Sequence, residues 1–159
     1  MANMSDGNCP FCKVSQTVYL ESPRWRLMRH LDPVPIAGWM MIVSRAHRSG
    51  LDAMTTEEAA EVGTILAAIA AAVRSVTGAE RTYGVTFNEA VPHLHLHVIP
   101  RHPGDPSTTS WALADRYRAT ARKELAPADA ADAERAAREI AQCAFDRLRT
   151  LGFEFPAAS

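Results

Sequence analysis

Five residues, His93-Leu94-His95-Leu96-His97, constrain the fold of this 159-residue chain more than any other segment. Imidazole and leucine alternate strictly, which is the pattern of a β-strand, where successive side chains point to opposite faces. The three rings then share one face at a spacing of roughly 6–7 Å, while Leu94, Leu96 and Val98 point the other way and can enter a core. With the leucine face in a core, the imidazole face becomes the wall of a pocket, and a purely structural role for three rings is disfavoured because each buried ring needs a polar partner for its N–H. A purification tag would be continuous and terminal, whereas this run is internal and interleaved with apolar residues.

A chain of this length suits one domain with a substantial core and is too short for two. Its formal net charge of −1 supplies no bulk attraction to nucleic acid or an anionic membrane, so neither is expected as a partner. No apolar run approaches the roughly 20 residues needed to cross a bilayer. Residues Met1 to Gly7 lack the basic region and apolar stretch of a signal peptide, so the expected location is cytoplasmic. Of the three cysteines, two are spaced Cys9-x-x-Cys12, a poor disulfide framework that suits metal or redox chemistry in a reducing compartment. Cys143 lies in an Ala-rich helical pattern and is expected to be a small core residue.

The sequence around these residues divides into elements. Asn8 to Cys12 reads as a tight turn, and Thr17–Glu21 and Arg24–Leu31 as a hairpin broken at Ser22-Pro23. Two prolines make Asp32 to Pro35 a turn, and Gly38–Ser44 is an apolar run suited to a strand buried on both faces. Thr55-Thr56-Glu57-Glu58 is a capping box. From it a helix is expected over residues 56–77, with Val62, Leu66, Ile69, Val73 and Val76 on one face and Gly78 as its stop. Strands follow over Thr82–Phe87 and Leu94–Ile99, paired antiparallel. After Arg101 a polar loop leads to a second helix opening at Pro127-Ala128-Asp129 and ending at Gly152, with Ala137, Ile140, Ala141, Ala144, Phe145, Leu148 and Leu151 on its inner side.

Two constellations carry chemistry. A redox Cys-x-x-Cys normally follows a strand and opens a helix, and no strand precedes Cys9. Two thiolates from a turn need two more ligands for a closed tetrahedral zinc site; His30, His47, His93 and His102 are the candidates. The triad itself reads in two ways. Imidazole near its ordinary pKa is a competent nucleophile toward phosphorus, with its neighbours orienting it and contacting phosphate oxygens. Alternatively His93, His95 and His97 together hold a hydrolytic metal.

The segment His93-Leu94-His95-Leu96-His97-Val98-Ile99-Pro100-Arg101 resembles the histidine-triad motif of the HIT superfamily of nucleotide hydrolases and transferases. The resemblance extends to Cys9-Pro10-Phe11-Cys12, to the apolar strand ending in Ser44-Arg45-Ala46-His47, and to the helix between that strand and the triad. It covers residues 8–102, which implies a HIT domain over 1–102 and leaves 103–159 as a helical extension packed on it. The implied fold is α+β, an antiparallel sheet of about five strands with one main helix and an added C-terminal helix. The resemblance implies that His95 is the nucleophile of a nucleotidyl-histidine intermediate and that His97 contacts phosphate. It further implies that Cys9, Cys12, His47 and His93 bind a structural zinc ion, with no organic cofactor. The implied substrate is a small nucleotide, and the implied assembly a homodimer. One departure stands out: the loop Asn88 to Pro92 is short and places Glu89 where many members carry glutamine, leaving Asn88 as the phosphate or nucleophile contact. A non-catalytic nucleotide-binding protein and a triad metallohydrolase are the competing readings.

Overall fold

Strand β3 (Met40–Ser44) is buried along its whole length, as its unbroken apolar sequence requires. It lies at the centre of a five-stranded sheet in the computed structural model of the chain, which describes residues 9–13 and 15–157. The expectations for Met1–Gly7 and for Asn8 fall outside those residues. The other strands are β1 (Val18–Glu21), β2 (Trp25–Arg29), β4 (Arg81–Val85) and β5 (His95–Arg101), and the order is β1-β2-β3-β5-β4. Every neighbouring pair is antiparallel. The β1–β2 hairpin forms as the sequence predicts, each strand one to three residues shorter at its ends.

Pairing of β3 with β5 sets Met41 opposite His97 and Val43 opposite His95, with Met40, Ile42, Leu96 and Val98 alternating between them. This alternation gives the sheet two faces with different partners. Leu94, Leu96 and Val98 join Met40, Ile42, Trp25 and Leu27 in the main core. Helix α1 (Thr56–Thr77) covers that face, capped by Thr55 and Glu58 in the predicted capping box and stopped by Gly78 at φ 69°. Its buried apolar residues are Ile65, Ala68, Ile69, Ala72 and Val73, so the stripe is rotated from the expected one, and Val62, Leu66 and Val76 sit at its margins. The rotation follows from a second neighbour: α3 (Ala130–Leu148) packs alongside α1 and against β1 and β2, and small Ala residues line the contact. By length and composition α1 would suffice to cross a bilayer, against the expectation that no segment would. Here one side of α1 packs on the sheet and on α3.

Two further expectations change. The segment after Arg101 is not only a loop: Pro106–Thr108 forms a 3-10 turn and Ser110–Ala121 forms α2. Cys143 is exposed, because α3 buries Ala133, Ala137, Ile140, Ala141, Ala144 and Leu148, and position 143 faces away from that stripe.

Candidate active and metal-binding site

The imidazole face of the sheet is covered by the N-terminal turn and, further along, by α2. Cys9, Phe11, Met28, Met41 and Val43 form a small core there, and Ile36, Trp39, Ile99 and Leu113 form a second. Phe11 packs on the ring of His93 at 5.5 Å and on that of His95 at 4.9 Å between centroids. Its carbonyl accepts a hydrogen bond from Arg26 Nη1, which ties the cysteine turn to β2.

The turn carries its thiols to two histidines. Cys9 Sγ lies 3.3 Å from His93 Nδ1, and Cys12 Sγ lies 3.2 Å from His47 Nδ1 and 3.5 Å from His93 Nδ1. All four potential ligand atoms fall within 4.8 Å of one another. Zinc bonds of roughly 2.0–2.3 Å in a tetrahedral shell put neighbouring ligand atoms about 3.3–3.8 Å apart, close to the three sulfur–nitrogen separations above. The tautomer also fits. His93 Nε2 donates to the Ser44 carbonyl at 2.7 Å, which leaves the Nδ1 lone pair facing the sulfurs. Cys9, Cys12, His47 and His93 therefore form a possible zinc site. His30 and His102, the other two candidates, lie outside it.

With its Nδ1 turned toward the cysteines, His93 does not converge with the other two triad rings. A metal held jointly by His93, His95 and His97 would require that ring to leave its present partners. The metallohydrolase arrangement is not the one this site adopts.

The His95 ring is held by the backbone of His93. Its Nδ1 lies 2.6 Å from the His93 carbonyl, and since a carbonyl only accepts, Nδ1 carries the proton and Nε2 the lone pair. Two residues before β5 fix the peptide. The Asn88 side-chain oxygen accepts from the His95 N–H at 3.2 Å, and the Thr86 hydroxyl donates to the His95 carbonyl at 2.8 Å. Asn88 is left-handed at φ 54°, a conformation that asparagine tolerates better than most residues. Its amide oxygen is thus already engaged with the His95 backbone. Glu89 is exposed.

Burial pushes the His95 ring below the ordinary histidine range, opposed by its bond to the His93 carbonyl. His97 is driven down to about 3, first by burial and then by the neighbouring His95 and His30. The same burial brings His30 to about 4. Burial therefore favours the neutral form of all three rings.

Sequence reasoning missed the surroundings of His97. Trp39 Nε1 donates to His97 Nδ1 at 3.0 Å, and His30 lies 4.7 Å from the indole and 5.7 Å from His97 between ring centroids. Tyr117 of α2 stands against both His30 and Trp39, at 5.6 and 6.0 Å. No motif joins positions 30, 39 and 117; the one available signal was an aromatic residue opening the buried strand. Elsewhere, a concavity of about 340 Å³ lined by Arg24, Arg48 and Glu58 lies apart from the triad, and its arginines are already paired with Glu61 and Glu58.

A family model for the HIT domain matches residues 13–104. Among solved structures, a HIT-like protein involved in cell-cycle regulation from Bartonella henselae is 21% identical, with a TM-score of 0.64 over 88% of this chain and 99% of that one. A zinc-bound histidine triad family protein from Mycobacterium smegmatis is 20% identical, with a TM-score of 0.63 over 92% and 99% of the two chains. A hypothetical histidine triad nucleotide-binding protein from Sulfolobus tokodaii is 15% identical, with a TM-score of 0.63 over 91% and 95%. At these identities the likeness is one of fold. No curated protein matches the chain.

Proposed function

The chain belongs to the HIT-domain family, and from that premise we propose that it is a nucleotide hydrolase or nucleotidyltransferase working through a nucleotidyl-histidine on His95. HIT proteins include nucleotide hydrolases, transferases and binders, and the proposal selects among these on one observation. His95 Nδ1 donates its hydrogen to the His93 carbonyl, so the far nitrogen, Nε2, keeps an available electron pair.

The chemistry then balances as two displacements on the α-phosphorus of a dinucleoside polyphosphate or nucleoside phosphoramidate. The Nε2 pair forms an N–P bond while the P–O or P–N bond to the leaving group breaks, and the leaving group takes that pair and a proton from solvent. Water next attacks phosphorus, the N–P bond breaks with its pair returning to Nε2, and the water's proton goes to solvent. His97 and the amide N–H2 of Asn88 contact the phosphate oxygens. A zinc ion on Cys9, Cys12, His47 and His93 would be structural, since protein fills all four positions. It would secure the cysteine turn over the triad. The thiols suit a reducing, cytoplasmic setting. The outer edge of β4, which pairs with no strand among the described residues, suits pairing with a second copy of the chain, the homodimer the family resemblance implies.

The test is His95→Ala assayed on adenosine phosphoramidates and dinucleoside polyphosphates. Loss of several orders of magnitude is expected, as is a trapped phosphoramidate adduct in the native enzyme that the variant lacks. Undiminished turnover in the variant refutes the nucleophile. Tight nucleotide binding with neither adduct nor product identifies a non-catalytic binder instead.

A further inference from the structure

His95 and His97 stand side by side, their rings 4.9 Å apart and nearly perpendicular at 82°, yet their Nδ1 atoms are used in opposite ways. In His95 that nitrogen donates to a carbonyl, whereas in His97 it faces the indole N–H of Trp39 at 3.0 Å. An indole N–H has no accepting capacity. His97 Nδ1 must therefore present a lone pair, and the proton of the neutral ring sits on Nε2. Protonating Nδ1 would set N–H against N–H and break the contact.

The indole is itself held in place. Trp39 is buried with Ile36, Ile99 and Leu113, and its ring is bracketed by His30 and Tyr117. The chain enters it through Gly38 at φ +86°, where a Cβ would collide with Thr77 Cγ2, so the approach to Trp39 is fixed against the end of α1. His30 cannot replace the indole as donor from its Nδ1, because that nitrogen lies 2.6 Å from the Leu31 carbonyl.

We propose that Trp39 is a positioning residue that locks His97 in its Nε2–H tautomer, so that the third triad histidine meets the substrate phosphate as a neutral hydrogen-bond donor. The role rests on the nucleotide-transfer reading above. It gives the adjacent imidazoles complementary tasks: His95 offers an electron pair from Nε2, and His97 offers a hydrogen from Nε2 to oxygens on which charge builds. Because His97 donates a hydrogen bond and keeps its proton, it needs no recharging between the two displacements.

Nitrogen-15 spectra of the full chain labelled in its histidine rings, assigned with His97→Gln, test the tautomer directly. The expected spectrum has an unprotonated Nδ1 and a protonated Nε2 for His97 near neutral pH. In Trp39→Phe the two His97 nitrogens should move toward a tautomer mixture. On whichever nucleotide the enzyme turns over, kcat should fall about tenfold or more with KM changed far less, as for loss of one oriented donor. Trp39→His, which can supply its own N–H, should recover part of kcat and of the wild-type spectrum.

A wild-type His97 that carries its proton on Nδ1, or on both nitrogens, overturns the proposal whether or not the Phe variant folds. A folded Trp39→Phe with unchanged kcat also overturns it. If the tautomer is as expected but the native enzyme turns over no nucleotide, the nucleotide-transfer reading fails and the positioning role falls with it. Turnover with the wrong tautomer sinks the Trp39 role alone.

Discussion

Acidifying the protein from about pH 7 to about pH 5 should remove about 2 kcal/mol of folding stability through His30 alone. The ring is 8% exposed, and burial lowers its pKa to about 4 from the 6.5 of the free side chain, outweighing the bond to the Leu31 carbonyl that favours the charged form. Between those two values the unfolded chain takes up a proton that the folded chain refuses. Stability contributed by neutral His30 is therefore complete above about pH 6.5 and declines as the pH falls toward 4. Across the middle of that window the slope approaches one proton, or about 1.4 kcal/mol per pH unit. His97, driven to about 3, should add a parallel loss in the same range. Urea unfolding at several pH values, on the native chain and on His30→Gln, isolates the first contribution. Carboxylate titrations are common to both proteins and cancel in the difference of slopes, whatever the substitution does to absolute stability. The variant should lose stability less steeply by about 1.2 kcal/mol per unit between roughly pH 6 and pH 5. Parallel slopes for the two proteins would refute the assignment of a buried, neutral His30.

Two further outcomes follow from the packing and the metal site. Elemental analysis should find about one zinc per chain, falling sharply in Cys9→Ser, and chelation should lower the melting temperature with any loss of activity tracking unfolding. Metal-free protein of unchanged stability would return Cys9 and Cys12 to ordinary thiols. Ile140→Ala should cost about 2–5 kcal/mol in urea titration with an unchanged denaturant slope, because Ile140 is fully buried between α3 and the main core. A cost below about 1 kcal/mol would mean that α3 is not integral to the fold.

Elements with a single strong local cause were legible in the sequence. The capping box at Thr55 and Glu58 and the left-handed Gly78 bound α1 at its observed ends. The His–Leu alternation separates the two faces of β5 without knowledge of its partners. What escaped depends on packing between distant segments. Helix α2 has two buried residues, Leu113 and Thr120, and leaves Trp111 exposed, so it offers no periodic stripe to read. The orientation of Cys143 turns on which face α3 presents to α1, and the Ala-rich sequence reads equally well with that face rotated by a residue. The loop sequence marks Asn88 as a polar residue near the triad, and does not show that its oxygen serves the His95 backbone, a contact that depends on its left-handed turn. The Trp39–His97 bond joins residues 58 positions apart, and only strand pairing brings them together.

His93 makes the triad harder to dissect by genetics than its even spacing suggests. Its ring faces the cysteines and the Ser44 carbonyl, while its own carbonyl holds the His95 ring. On the proposed roles, an alanine scan through the three histidines would score position 93 as essential although its imidazole faces the cysteines and not the nucleophile's pocket. Such a scan can count the residues on which turnover depends, but it cannot assign their roles. At this site two unrelated jobs share one residue, and only measurements that separate metal content from chemical rate can tell them apart.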